Sequence, residues 1–211
     1  AMGKHSAIVC AQGPQRKTTF RLDDYFINHE NEHELTLRSL PGVFSQEKLD
    51  KGTQVLLKYL PRKLKGRILD FGCGTGTIAS YISKNREYEE IEMIDDDFLA
   101  VKSAQANIES NQIEFTEAFA SDGFSEIEGR YNWIVSNPPF HQGIKTDYNV
   151  TETFLKQAKE YLKLSGKLLI VANEFLNYEV ILRENFKGVT TVAKENGFKV
   201  IQCEGIMRSR N

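Results

Sequence analysis

From Arg67 onward the chain repeats one pattern, a short apolar strand followed by a helix, and the series closes on a hairpin signal. Residues 67–71, 90–94, 113–119, 131–136 and 167–172 read as strands, and residues 77–84, 97–111 and 151–163 as helices between them. Over 97–111, Phe98, Val101, Ala104 and Ile108 fall near one helical face; over 151–163, Phe154, Leu155, Ala158, Tyr161 and Leu162 do the same. Such alternation builds a parallel sheet covered by helices on both faces. After a further helix over 177–185, the runs 189–193 and 198–203 flank Asn196-Gly197, the dipeptide of a two-residue hairpin turn. The expected class is α/β, a mostly parallel sheet ending in an antiparallel hairpin, which is not the pattern of a plain dinucleotide-binding domain.

Residues 1–40 read as a lead-in made of a tag scar (Ala1-Met2-Gly3), a polar linker and one alternating strand over 34–40; residues 41–211 read as the main domain. Pro41-Gly42 separates the two, and a helix is expected over 46–60, stopped by Pro61. A chain of 211 residues is long enough to bury a core without a disulfide or a structural metal. Cys10, Cys73 and Cys203 lie far apart with no CxxC pair, which fits a reduced, cytoplasmic protein. No apolar run approaches the roughly 20 residues of a membrane span, so a soluble chain without membrane contact is expected. The net charge of −2 excludes a global basic footprint for nucleic acid, although residues 1–66 carry +4 and the remainder −6. Arg62, Lys63, Lys65 and Arg67 form a basic cluster that reads as a solvated face.

His29-Glu30-Asn31-Glu32-His33 matches the HExxH zinc pattern. That pattern needs a helix with both histidines on one face. Here it lies in a polar stretch before an alternating strand, so a solvated loop or helix end, and no metal, is expected.

The strand over 67–71 runs directly into Gly72-Cys73-Gly74-Thr75-Gly76 and then into a helix. Glycines permit positive φ and let a ligand approach the backbone, which marks a nucleotide-like ligand at the strand tip. A GxGxxG dinucleotide fingerprint would need glycine where Thr77 stands, and the Gly-Lys-Ser/Thr ending of a P-loop is missing. About 20 residues on, the second strand ends in Asp95, where ribose hydroxyls are read. Asp96 and Asp97 better suit the cap of the following helix.

Ile134-Val135-Ser136-Asn137-Pro138-Pro139-Phe140 is the second informative stretch. Two prolines at the end of a buried strand remove two backbone donors and leave carbonyls free to accept. Asn137 and the Pro138 carbonyl can accept both hydrogens of a planar amine while Phe140 stacks on its ring. Accepting those hydrogens draws the nitrogen toward tetrahedral geometry and aims its lone pair at an electrophile, and in-line placement then does most of the work. His141 beside the motif reads as a loop residue, not a base. Adenine N6, guanine N2 and a glutamine amide all fit this chemistry.

The remaining spacing, Asp70-x-Gly72-x-Gly74-x-Gly76, resembles motif I of the class I S-adenosylmethionine-dependent methyltransferases. Pro41-Gly42-Val43-Phe44-Ser45, Asp50-Lys51-Gly52-Thr53 and Ser136-Asn137-Pro138-Pro139-Phe140-His141 further resemble the catalytic half of RsmC-type ribosomal RNA guanine-N2 methyltransferases. Val171-Ala172-Asn173-Glu174-Phe175-Leu176 and Gly197-Phe198-Lys199-Val200 extend the likeness. The resemblance implies a Rossmann-like, seven-stranded class I fold, S-adenosylmethionine as cofactor, and methylation of a guanine N2 in 16S rRNA of the small ribosomal subunit. It implies that Asp70, Gly72, Cys73, Gly74, Gly76, Asp95, Asp122 and Asn137 hold the cofactor. Asn137, Pro138 and Phe140 would hold the reacting amine, and Phe44, Ser45 and Thr53 would line the pocket. It also implies that an RNA-docking N-terminal domain found in larger members is missing here; no strong apolar interface pattern stands out in the sequence, so a monomer is expected. An N-methyltransferase acting on a protein glutamine or adenine N6, and a non-catalytic cofactor-binding or RNA-docking module, are the alternatives.

Overall fold

The computed structural model describes residues 21–30, 35–45, 48–138 and 145–207, with the backbone alone described over 145–149. A small antiparallel pair, β1 (Ile27–Glu30) and β2 (Thr36–Ser39), precedes α1 (Lys51–Lys58). The alternating series follows as β3 (Arg67–Phe71), α2 (Thr77–Asn85), β4 (Glu90–Asp95), α3 (Phe98–Ser110), β5 (Thr116–Ala120), β6 (Tyr131–Ser136), α4 (Lys145–Gln157) and β7 (Leu162–Asn173). It closes with α5 (Tyr178–Asn185), β8 (Phe186–Glu195) and β9 (Phe198–Ile206). The large sheet has seven strands in the order β5-β4-β3-β6-β7-β9-β8, with β9 antiparallel to both neighbours. Asn196 and Gly197 turn the terminal hairpin with φ of 53° and 80°, as a two-residue turn with both central residues left-handed requires.

This order places the site. The chain moves from β3 outward through β4 to β5, then returns so that β6 pairs with the other edge of β3. Ligands of open α/β sheets bind beyond the strand ends at such a reversal. The tips of β3 and β6 therefore stand side by side.

Alternation along each strand sends neighbouring residues to opposite layers. Ile68, Val135, Leu169 and Val200 pack under α1 and α2, whereas Leu69, Ile134, Ile170 and Ile201 pack under α4 and α5. Beneath the tip of β3, the Phe71 ring stacks on Phe154 at 4.1 Å and meets Phe124 at 4.8 Å. Each such pair adds about 0.5–1.5 kcal/mol beyond its buried area, tying α4 and the segment after β5 to the strand that carries the glycine loop.

Several elements differ from expectation. α1 begins at Lys51, because the Asp50 carboxylate accepts from Thr53 N–H (3.0 Å) and caps the helix there. The helix expected over 151–163 ends at Gln157, passes through a 3-10 turn (Ala158–Tyr161), and gives way to β7 at Leu162. Leu155, Ala158 and Leu162 enter the same core, so their spacing reads as helical although Leu162 pairs with Tyr131 in the sheet. β5 starts at Thr116, since Gln112 and Phe115 have positive φ and the segment before the strand is a turn. Phe98 is exposed: the first turn of α3 instead packs Leu99 and Ala100 with Leu40 and Val43.

β2 is fastened to α3 by side chains. Asn107 accepts from Arg38 N–H (2.7 Å) and donates to the carbonyls of Arg38 (2.9 Å) and Thr75 (2.8 Å), while Ser103 Oγ accepts from Leu40 N–H (3.0 Å). The expected loop or helix end at His29 and Glu30 is instead strand β1, and the rest of that HExxH match lies outside the described residues. Arg62, Lys63 and Lys65 are exposed as expected, but Arg67 is not simply solvated. It pairs with Glu90 (2.7 Å) and Glu92 and lies over the Tyr131 ring. No helix among the described residues is long and apolar enough to cross a membrane.

Candidate active site

The tip of β3 is built from backbone. Gly72 and Cys73 N–H both donate to Ile94 O at 2.9 Å, which ties the turn to β4. Gly72, Gly74 and Gly76 have φ of 68°, 55° and 75°, left-handed values that cost a side-chain-bearing residue about 1–2 kcal/mol. The three differ in what surrounds them. A Cβ on Gly72 would meet nothing within 4 Å, and one on Gly74 only the Phe44 carbonyl at 4.0 Å. One on Gly76 would sit 2.9 Å from Met93 Sδ and 3.3 Å from Ala104 Cβ. Gly72 and Gly74 thus border open space that a ligand can enter, whereas Gly76 lets α2 and α3 close on the sheet.

Asp70 lies fully buried under this turn. Its Oδ2 accepts from Ala79 N–H in α2 (3.2 Å), and its Oδ1 has no partner. Burial, augmented by the nearby Asp95, pushes its carboxyl up to about 7. An unpartnered buried carboxylate oxygen beneath a glycine turn fits a cationic ligand, because positive charge there would relieve the cost of the lone carboxylate. Cys73 is also buried, and burial pushes its thiol up, so it fits as part of the loop wall and not as a nucleophile.

Asp95 ends β4 beside the turn. Its Oδ2 accepts from Gly74 N–H (2.8 Å) and its Oδ1 from Asp97 N–H (3.0 Å). Partial burial still raises its carboxyl above the ordinary range. Asp97 caps α3 through Leu99 N–H (2.8 Å), while Asp96 is exposed. Both carboxylate oxygens of Asp95 keep a second lone pair with which to accept from a further donor. Ser121 N–H donates to Asp95 O (3.0 Å), which brings the exposed Asp122 to the same rim. Phe44 is exposed with its carbonyl facing Gly74, and Ser45 follows at φ 62°. The segment after β2 therefore passes alongside the glycine turn.

The tip of β6 is built from side chains. Ser136 Oγ donates to Phe71 O (2.7 Å), stapling the ends of β6 and β3 together. The next residue, Asn137, donates its amide nitrogen to Asp50 Oδ2 (3.0 Å) and Thr53 Oγ1 (2.9 Å). Both amide hydrogens are committed to α1, which leaves the amide oxygen as the acceptor not tied to these two partners. Pro138 is buried behind it, and Phe140, with His141, lies outside the described residues. Thr53, expected to line the pocket, is buried and holds Asn137. Asp50, which the sequence marks only as part of Asp50-Lys51-Gly52-Thr53, is the carboxylate that holds the Asn137 amide. Its only signal is position, immediately before the helix.

A carboxylate-lined glycine turn beside an oriented amide acceptor is equipped to bring a cationic nucleotide-like donor against a planar amine. Comparisons with known proteins point the same way. A protein from Psychromonas ingrahamii named ribosomal RNA small subunit methyltransferase C is 43% identical over 203 residues, covering 95% of this chain and 58% of the relative. The Aeromonas hydrophila protein of that name is 44% identical over 184 residues, covering 86% and 53%. The chain thus spans little more than half the length of these relatives. The structure of the Thermus thermophilus 16S rRNA N2 G1207 methyltransferase (RsmC), in complex with AdoMet and guanosine, superposes with a TM-score of 0.75 at 31% identity, covering 85% of this chain and 50% of that one. The sheet order and terminal hairpin are those of the class I methyltransferase fold. The model of the methyltransferase small domain matches residues 34–202, and the chain belongs to that family.

Proposed function

We propose that this chain transfers the methyl group of S-adenosylmethionine to the exocyclic N2 amine of a guanine in 16S rRNA of the small ribosomal subunit. The observation that carries the reading is Asn137, whose amide nitrogen is pinned by Asp50 and Thr53 one strand away from the glycine turn of β3. The names of the RsmC relatives and the ligands of the Thermus structure support it.

In this reading the cofactor supplies an electrophilic methyl on a sulfonium leaving group. Asp70 faces its cationic end, Gly72, Cys73, Gly74 and Gly76 form the wall against it, Asp95 accepts from its ribose, and Asp122 borders its base. Asn137 also borders the cofactor, and Phe44 and Ser45 close the rim. Asn137 and the Pro138 carbonyl accept the two amine hydrogens, with Phe140 on the face of the ring. Orientation, not proton abstraction, supplies the acceleration. Residues 41–211 act as the catalytic domain, with 1–40 a lead-in, in a cytoplasmic monomer. The relatives' additional length is where we place a domain that helps to hold RNA.

The test is transfer of labelled methyl from S-adenosylmethionine to undermethylated small subunits and to naked 16S rRNA, followed by digestion to nucleosides. Label in N2-methylguanosine that disappears with Asn137→Ala is expected. Label in N6-methyladenosine, or in a glutamine of a ribosomal protein, would overturn the substrate assignment.

A further inference from the structure

An asparagine amide looks almost the same after a half-turn about its last bond, yet that turn exchanges donor and acceptor. A site that needs the oxygen forward must have something behind Asn137 that forbids the turn. Thr53 Oγ1, at 2.9 Å, cannot do so alone, because a hydroxyl donates or accepts as required. Asp50 can. Its carboxylate, 3.0 Å from Asn137 Nδ2, only accepts, and a turned amide would set two oxygens against each other. The same Asp50 Oδ2 accepts from Thr53 N–H at 3.0 Å, so the carboxylate is itself held by the first turn of α1.

We infer that Asp50 is a positioning residue for methyl transfer: it holds the Asn137 amide oxygen toward the substrate amine and places a negative charge one hydrogen bond behind that oxygen. The inference rests on the function proposed above. Methyl transfer forms a C–N bond with the amine's lone pair while the C–S bond breaks and its electrons pass to sulfur. The amine nitrogen is left positive until one of its protons passes to water. A neutral amide oxygen is a modest partner for that developing charge. A carboxylate bonded to the amide N–H polarises the amide and strengthens its oxygen as an acceptor, more so because Asp50 is only partly exposed and Thr53 is buried. Asp50 and Asn137 lie 87 residues apart and are joined only by the fold.

Asp50→Asn separates this role from helix capping, since asparagine caps a helix about as well as aspartate. With undermethylated small subunits and S-adenosylmethionine both saturating, Asp50→Asn, which removes the charge and no longer forbids the half-turn of Asn137, should lower kcat by about 10–100-fold, the range for altering a hydrogen-bonding partner behind a ligand-binding side chain. Its melting temperature and its affinity for S-adenosylmethionine should stay near those of the unaltered chain. The exchange Asp50→Asn with Asn137→Asp restores one donor, one acceptor and the charge, and should recover part of the lost kcat. A kcat within about twofold of the unaltered chain overturns the inference, as does a loss seen only in melting temperature or cofactor affinity. A second readout needs no turnover. In the ¹⁵N-labelled chain, the Asn137 side-chain NH₂ pair should be shifted downfield and slow to exchange, and should lose both properties in Asp50→Ala. Unchanged resonances overturn the inference. If the unaltered chain methylates nothing while that signature holds, the proposed function fails and the hydrogen-bonded arrangement stands.

Discussion

The tips of β3 and β6 are neighbours in one sheet, yet they are made in opposite ways. At β3, backbone amides and open space form the site, and glycine suits Gly72 and Gly74 because the turn has positive φ there and opens onto unfilled space. At β6, one asparagine is aimed by a carboxylate and a hydroxyl from a helix far away in sequence. A backbone site writes its requirement into adjacent residues, whereas a side-chain site spreads it over the fold. The first tolerates little change of backbone shape; the second tolerates little change of chemistry.

The largest expected effect separates the two tips. Asn137→Ala should lower kcat by about 10²–10³-fold, comparable to losing one preorganised hydrogen-bonding group at a reacting centre, as read from steady-state methyl transfer. Next comes a contrast within the β3 tip. Gly76→Ala combines positive-φ strain with a clash against Met93 and Ala104, and should cost roughly 2–4 kcal/mol of stability. Gly72→Ala bears only the φ cost of about 1–2 kcal/mol but should weaken S-adenosylmethionine binding strongly. Thermal melts and calorimetric titration of both variants would check this, and equal behaviour would erase the distinction drawn between them.

A smaller effect follows from Asp70, whose folded-state carboxyl is raised to about 7. Folding therefore favours the proton. That contribution is fully present below the ordinary carboxylate range and is lost as pH rises through about 7. Asp70→Asn should thus gain in melting temperature relative to the unaltered chain between pH 4 and pH 8. Its affinity for the cationic cofactor should fall, while that of the unaltered chain rises over the same interval. The smallest effect lies at the opposite end of the sheet, where Tyr131 Oη donates to Glu92 (2.5 Å) and Arg67 pairs with the same carboxylate. Tyr131→Phe should cost about 1–2 kcal/mol in denaturant unfolding and leave kcat unchanged.

What was legible in the sequence follows the same division. Strand and helix alternation located β3, β4, β6 and α2 closely, because each packs one periodic apolar set against the sheet, and Asn196-Gly197 marked its turn. The start of β7 was hidden because Leu162 keeps helical spacing to Ala158 while joining a strand. Phe98 shares helical spacing with Val101 and Ala104 yet stays exposed, because the first turn of α3 meets Leu40 and Val43, which no local pattern records. Asp95 was separable from Asp96 and Asp97 because strand end and helix cap have different chemistry. Asp50 is not recognisable from sequence as the partner of Asn137, since only the packing of α1 against β7 and β9 brings its first turn to the residue after β6.

In the proposed function the β3 tip holds the methyl donor and the β6 tip aims the acceptor. Single-turnover methyl transfer to undermethylated small subunits, measured against rising S-adenosylmethionine for Gly72→Ala and Asn137→Ala, tests it most directly. Excess cofactor should restore the rate of Gly72→Ala and leave Asn137→Ala slow at saturation. Restoration of Asn137→Ala by cofactor alone would contradict it.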